Sequence, residues 1–212
     1  MSTLAIMKAR IANELVRSDL TSEIAYAISD AIALYQKEPW AFLQSRANQL
    51  ATVASQYVYT STDASWIADI RRLEWVHLLR DGASAPMRDM SVDHVEQLNG
   101  NGTFGGEPLG YAYWGENIFL YPIPNEVYTL RAGGRFAVAE PATDAETGNP
   151  WMTKAERIVR QKAKWLLAKD VIHDDGLAQR IEMPLIDAES AMRDEFNGRQ
   201  KGQRNQVEAT TF

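Results

Sequence analysis

Apolar residues recur every three or four positions near the start of the chain, and this spacing predicts two helices over residues 3–37. A polar break at residues 18–21 separates them, and helices joined by so short a turn form a helical hairpin. We expect Thr21 or Ser22 to cap the second helix and Pro39 to end the pattern. The apolar stripes consist of Leu4, Met7, Ile11 and Leu15 in the first helix, and of Ile24, Ile28, Ile32 and Tyr35 in the second.

Aromatic and β-branched residues dominate the middle of the chain and predict a β-rich insertion over residues 51–140. Its clearest element is a hairpin, in which residues 111–114 and 118–122 flank a short turn that contains Gly115. Four glycines predict a loop over residues 99–108. The strands are expected to form a small antiparallel sheet. The other expected elements are strands at residues 56–60, 70–76, 127–132 and 135–138, with a bulge or bend at Gly133–Gly134, a turn at Asp81–Gly82, and a short helix at residues 91–98 capped by Ser91.

Helical spacing returns over residues 150–197 and predicts two further helices. Asn149 is expected to cap the first of them, with Pro150 at the first helical position. A polar break at residues 174–176 separates the two helices. Pro184 lies inside the pattern of the last helix and predicts either a kink or a helix that starts close to it.

Two helix pairs that flank a sheet in the sequence predict a mainly α protein with a β-rich insertion, of the α+β class. Neither pair can bury its apolar stripe alone, so we expect a four-helix core. Residues 1–197 are therefore interpreted as one domain. Residues 198–212 are rich in Gln, Gly and Arg and lack periodicity, which predicts an extended C-terminal arm that a partner orders.

Composition excludes several classes of function. The chain of 212 residues has no cysteine, which rules out disulfides and Cys-based metal sites, and no cofactor is expected. A net charge of −6 argues against a dedicated nucleic-acid binder but suits a surface that DNA passes without sticking. No apolar run reaches the ~18 residues that a membrane span needs, and no signal peptide is recognisable, so a cytoplasmic protein is expected. The histidines, which show no metal-ligand spacing, are His77, His94 and His173.

Signals of catalysis are weak. The glycine-rich segment matches neither a P-loop nor a dinucleotide-binding pattern, and no nucleophile motif is present. Two carboxylates could serve a glycosidase, but nothing singles out a pair among Glu107, Glu116, Glu126 and Glu140. We therefore interpret the chain as a structural protein and not as an enzyme.

The two C-terminal helices carry opposite charge. Residues 154–170 hold six basic and two acidic residues, whereas residues 177–195 hold five acidic and two basic ones. The charges could pair within one bundle, or the basic helix of one subunit could meet the acidic helix of its neighbour in a ring, because contacts between unlike surfaces generate rings. The candidates for contacts between subunits are Arg157, Arg160, Lys164, Glu182, Asp187 and Glu189.

Three segments together resemble the adaptor (head-completion) proteins of bacteriophage head-to-tail connectors, found in short-tailed and related phages. The resemblance covers nearly the whole chain, and the order and spacing of the segments carry more weight than any one of them. The segments are the N-terminal helical pattern from Leu4 to Tyr35, the hairpin from Tyr113 to Tyr121 that ends in Tyr121-Pro122-x-Pro124, and the late helical run from Ala163 to Ala168.

The resemblance implies a ring, commonly of twelve copies, beneath the portal protein at one vertex of the capsid. Such a ring extends the DNA channel, lets DNA pass without sequence specificity, and offers tail or nozzle proteins a platform. The chain would be a monomer when free, would assemble in the host cytoplasm and would reside in the virion. A six-fold tail stopper or terminator is the alternative, and a virion-associated glycosidase is a less favoured one. The arm would dock onto the portal through Arg199, Lys201, Arg204 and Phe212.

Overall fold

The computed structural model describes residues 2–80, 83–100 and 105–204, with side chains as far as residue 196. Helices and strands are both abundant in these ranges, which confirms the predicted α+β class. The chain divides into two compact units. The helical unit joins the chain before residue 43 to the chain after residue 137, and the strand-rich unit comprises residues 43–137.

Helices occupy both the N-terminal and the C-terminal part of the chain, as predicted, and the described part of the strand-rich unit contains one short α-helix and a 3-10 turn at Ser65–Ile67. The predicted helical hairpin at the start of the chain is confirmed. In chain order the described helices are α1 (Leu4–Leu15), α2 (Thr21–Tyr35), α3 (Val92–Gly100), α4 (Pro150–Thr153), α5 (Glu156–Leu166) and α6 (Asp175–Arg204).

The first two helices begin in different ways. The side chain of Thr3 accepts a hydrogen bond from a backbone N–H at 3.3 Å and caps α1. In α2 the cap position belongs to Leu20, which offers no side-chain hydrogen bond, so the predicted cap at Thr21 or Ser22 is wrong. Leu20 is buried, so an apolar side chain packed in the interior occupies the position where a hydroxyl cap was expected.

The predicted cap at Asn149 is confirmed. Its side-chain oxygen accepts a hydrogen bond from the N–H of Trp151 at 3.0 Å, and its amide nitrogen donates to the carbonyl of Ala139 at 3.1 Å. The short helix α4 leads directly into α5, which ends in a π-helical turn at Leu167–Val171.

The last helix, α6, is longer than predicted. The carboxylate of Asp174 accepts a hydrogen bond from the N–H of Leu177 at 2.9 Å and starts the helix well before Pro184, which excludes the late start. The helix then continues past Gly198 to Arg204, so the segment predicted as an arm begins as helix. Residues 205–212 lie outside the described residues, and an extended arm there stays a prediction.

In the helical unit α5 contacts α1, α2 and α6. Met7 and Ile11 of the first predicted stripe are fully buried, and all four members of the second stripe are buried. Ala163 on α5 is also fully buried, and its small side chain lets the helices approach closely. Each large apolar side chain buried in this way stabilises the fold by about 1.5–3 kcal/mol.

The strand-rich unit begins with a strand that the sequence did not predict, at residues 44–51. Only Leu50 is buried in this strand, so the sequence shows no alternation that would reveal it. The described strands are β1 (Gln44–Ala51), β2 (Val58–Tyr59), β3 (Ile70–Arg80), β4 (Ala83–Pro86), β5 (Arg88–Asp89), β6 (Gly105–Gly106), β7 (Gly110–Trp114), β8 (Asn117–Tyr121), β9 (Ile123–Pro124) and β10 (Thr129–Phe136).

Two four-stranded sheets replace the single small sheet that was predicted. The first has the strand order β1-β10-β3-β4 and is antiparallel throughout. The second has the order β2-β8-β7-β5, in which β5 and β7 run parallel, and β6 pairs with β9 in a separate parallel pair. Side chains from both four-stranded sheets share one core, which includes Leu78 and Leu130 from the first sheet and Ile118 and Leu120 from the second.

In the strand-rich unit, the turn of the β7–β8 hairpin and the cap of α3 agree with the sequence-based predictions. The predicted hairpin is confirmed as β7 and β8, and its two turn residues, Gly115 and Glu116, have φ angles of 57° and 62°. Ser91 caps α3 through the N–H of His94 at 3.3 Å, as predicted. The expected turn at Asp81–Gly82 and the middle of the expected loop, residues 101–104, lie outside the described residues.

Candidate assembly surfaces

The basic helix α5 is tied to α1 by ion pairs within the chain. Glu14 of α1 pairs with Arg160 and, at 2.6 Å, with Lys164. Arg10 lies 3.1 Å from Glu156, which also lies 3.0 Å from Arg160. Two of the basic residues proposed for contacts between subunits, Arg160 and Lys164, therefore bind a helix of their own chain.

Lys164 is one of the few charged residues in the interior, with 8% of its surface exposed. Burial alone raises the pKa of Glu14, but the hydrogen bond from Lys164 and the charges of Lys164 and Arg160 outweigh it and hold that pKa below its usual value. Glu14 is consequently a carboxylate at neutral pH, and it compensates the buried ammonium group of Lys164.

Arg157 occupies a different position on α5. Its side chain is exposed and has no ion-pair partner among the residues whose side chains are described. The neighbouring cation Lys162 stacks on the ring of Trp165, with 4.5 Å between the nitrogen and the ring centroid. Of the three basic candidates, Arg157 alone is left to meet another molecule.

The acidic candidates on α6 also divide into two groups. Glu189 accepts a hydrogen bond from the phenol of Tyr35 at 2.6 Å. Burial, and then this bond to a carboxylate, raise the pKa of Tyr35, so the phenol stays protonated and keeps donating. Glu182 and Asp187 are exposed, and the described side chains offer them no ion-pair partner.

Two apolar side chains lie on the same side of α6 as the free carboxylates, and sequence reasoning missed them. Met183 is 62% exposed and Ile186 is 49% exposed, and both lie within five positions of Glu182 and Asp187. They fall outside the apolar stripe of α6, and that off-stripe position was the signal available in the sequence. Exposed apolar groups rimmed by charge are typical of protein interfaces.

The residues predicted to bind the portal can be placed only in part. Arg199, Lys201 and Arg204 lie on the last turns of α6, in a stretch where the structure describes the backbone alone. Phe212 lies outside the described residues.

The chemical candidates in the sequence do not converge in the structure. Glu107 forms an ion pair with Arg80, and Glu116 lies exposed in the turn of the β7–β8 hairpin. Glu140 accepts hydrogen bonds from Ser29 at 2.8 and 2.9 Å. Within the described ranges, no three His, Asp or Glu side chains come together in a way that could hold a metal ion.

The hairpin tip borders a groove on the second sheet. Trp114 is 71% exposed and lines a cavity of about 510 Å³ together with Tyr113, Met90 and the first turn of α3. Asp93 and Glu96 supply the charges of the groove, and both are acidic.

Comparison with known families gives one match. The family model described as SU10 adaptor protein matches residues 2–210, which is nearly the whole chain. No curated protein matches the chain. Among the described helices, none combines the length and the apolar character needed to cross a membrane.

Proposed function

The chain belongs to the SU10 adaptor protein family, a family of phage structural proteins, and on this basis we propose that it is a ring-forming subunit of a head–tail connector. The ring, of twelve copies, lies beneath the portal, extends the DNA channel and carries the tail or nozzle proteins. The family match over residues 2–210 is the single observation that carries this proposal. The free chain is a monomer that assembles in the host cytoplasm and ends in the virion.

Within the ring, the helices α1, α2, α5 and α6 form a four-helix core of each subunit. The ion pairs of Arg160 and Lys164 with α1, and the bond from Tyr35 to Glu189, support this core because they join helices of one chain. Contacts between subunits then depend on the residues left without partners. These are Arg157 on α5 and Glu182 and Asp187 on α6, with Met183 and Ile186 as the apolar part of the interface.

The charged residues that have no partner within the chain favour assembly into a ring. Arg157 and the acidic face of α6 are unlike surfaces, and a contact between unlike surfaces repeats around a ring until it closes. The charges set the register of neighbouring copies more than the strength of their contact. A six-fold stopper or terminator would use the same kind of contact, and the number of copies distinguishes it from an adaptor.

The segment after residue 197 is the part of the subunit that docks onto the portal. Arg199, Lys201 and Arg204 give it three positive charges within six residues, with no acidic residue among them. An acidic surface on the portal would attract such a segment, and Phe212 would add an apolar anchor.

Mass photometry of the chain with and without purified portal rings tests this function. We expect a monomer alone and a portal species enlarged by a ring of copies.

Replacing Arg199, Lys201 and Arg204 together by Glu should weaken portal binding by roughly tenfold or more, because opposite charges become like charges. The matched control changes Arg46, Arg71 and Arg88 to Glu, which alters the net charge equally at exposed positions of the strand-rich unit, and should bind normally. Failure of the unaltered chain to bind any portal ring would overturn the proposal.

A further inference from the structure

The first sheet, of strands β1, β10, β3 and β4, presents an outward face of unusual charge. Along β10 the side chains alternate, so that Leu130, Ala132 and Phe136 are buried in the core. The positions between them, Arg131, Gly133 and Arg135, therefore lie on the opposite, outward face.

Strand β3 places three further residues on this face. Strand β3 has two residues without a partner on β10, namely Glu74 opposite Gly133–Gly134 and Arg71 opposite Arg135–Phe136. Such bulges bend the strand and keep its buried side chains on the inward face. Directly opposite residues of neighbouring antiparallel strands lie on the same face. The outward pairs are His77 with Arg131, Trp75 with Gly133, and Arg72 with Arg135.

Gly133 allows the indole ring of Trp75 to lie over the backbone of β10, beside Arg131. A Cβ atom at Gly133 would come within 2.2 Å of that ring, so any other residue would displace the indole from this position. The guanidinium of Arg131 lies 5.8 Å from the ring centroid and donates a hydrogen bond to Ser84 at 3.3 Å. The ring therefore contacts one cation, Arg131, and its centroid lies 4.3 Å from that of the His77 imidazole.

The arginines of this face are not neutralised by the chain itself. Arg72, Arg131 and Arg135 have no ion pair among the described residues, and Glu74, the nearest acid along β3, forms none with them. The paired outward positions on the edge strands hold no carboxylate either. They are Gln44 and Gln49 on β1, and Ser84 and Pro86 on β4.

We propose that this face, formed by Arg72, Arg131, Arg135, Trp75 and His77, binds the phosphate backbone of duplex DNA. The proposal rests on the proposed function, which brings DNA past the protein. Arginine suits phosphate because its planar guanidinium donates two parallel hydrogen bonds, and residues 43–137 contain arginine but no lysine. Arg131 and Arg135 are separated by about 13 Å along the strand, a length that spans several phosphates of one DNA strand.

The chain as a whole keeps the interaction weak. Its net charge of −6 repels DNA at long range, so a small basic face holds the duplex only at close approach and releases it readily. Trp75 adds a flat apolar surface beside the cations and makes no base-specific contact. Binding should consequently be independent of sequence and strongly dependent on salt.

Fluorescence anisotropy of a short labelled duplex with the full-length chain, over a series of low salt concentrations, tests the proposal. The test variant replaces Arg72 and Arg135 by Gln, because neither side chain has an ion-pair partner whose loss would unfold the sheet. We expect roughly tenfold weaker binding and a slope of log affinity against log salt reduced by about 2, one for each phosphate contact. The matched control replaces Arg71 and Arg88 by Gln, since the charge of Arg71 acts on Tyr113 in the second sheet and Arg88 lies on β5.

The outcomes separate the possible partners of this face. Absence of duplex binding by the unaltered chain at low salt overturns the proposal, and so does an equal loss in the control variant. Unchanged DNA binding by the test variant, together with weakened assembly on the portal, would assign the face to an acidic protein and also overturn it. Portal binding is measured without DNA, so failure of the proposed connector function is seen independently.

Discussion

Replacing Gly134 by alanine should lower the free energy of unfolding of the strand-rich unit by about 3 kcal/mol. A Cβ atom at this position would lie 2.1 Å from the carbonyl oxygen of Arg72, far inside van der Waals contact. The obstacle is backbone, at the register shift between β3 and β10, so no side-chain rotation relieves it. The two longest paired strands of the unit must separate to admit the methyl group.

Urea unfolding followed by near-ultraviolet circular dichroism measures this effect, because the sheets carry many of the aromatic residues. Gly106→Ala is the matched control. Gly106 also lies in a strand, and the nearest atom to its added Cβ would be the Pro122 side chain at 4.0 Å. We expect the control to change stability by less than about 1 kcal/mol. Equal effects of the two substitutions would show that the close approach at Gly134 is not what constrains the sheet.

Replacing Glu14 by Gln should destabilise the helical unit by about 2 kcal/mol, because it leaves the buried ammonium group of Lys164 without a carboxylate. This figure is below the cost of breaking a fully buried pair, since the side chain of Glu14 is 36% exposed and water screens it in part. Lys164→Met should cost less than half as much, because Arg160 remains to pair with Glu14. The double variant should cost less than the sum of the two single variants.

The effect of Glu14→Gln should also depend on pH. The folded chain holds the pKa of Glu14 below its unfolded value, so the carboxylate contributes stability above the unfolded pKa and loses it as pH falls through the folded pKa. The difference in unfolding free energy between the two proteins should be largest near neutral pH and should shrink as the pH falls below the ordinary carboxyl pKa of 4.5. A difference that stayed constant as the pH fell would assign the effect to packing.

The sequence predicted well those elements whose signal is local. The stripe of α2, the cap at Asn149 and the β7–β8 hairpin each depend on residues close together in the chain, and all three are confirmed. Strand β1 escaped prediction because it is an edge strand with a single buried residue, Leu50. The division of the β region into two sheets also escaped it, because the pairing of β1 and β3 with β10 joins residues far apart in sequence.

For the candidate interface, the sequence predicted the charge of each helix but not the pairing of individual charges. Charge counts identified α5 and α6 correctly as helices of opposite charge, but they could not say which charges are already paired within the chain. Arg160, Lys164 and Glu189 have partners on α1 and α2, at sequence distances that no local pattern reveals. The outward face with Trp75 and its arginines went unnoticed because two extra residues in β3 shift its alternation.

Cryo-electron microscopy of the full-length chain bound to purified portal rings tests directly whether the chain is a ring-forming connector adaptor. Counting the copies in the complex decides the matter. We expect a closed ring of twelve copies on the portal, with Arg157 of each copy facing the acidic side of α6 in its neighbour. A six-fold ring, or a portal that carries no ring of this chain, would contradict it.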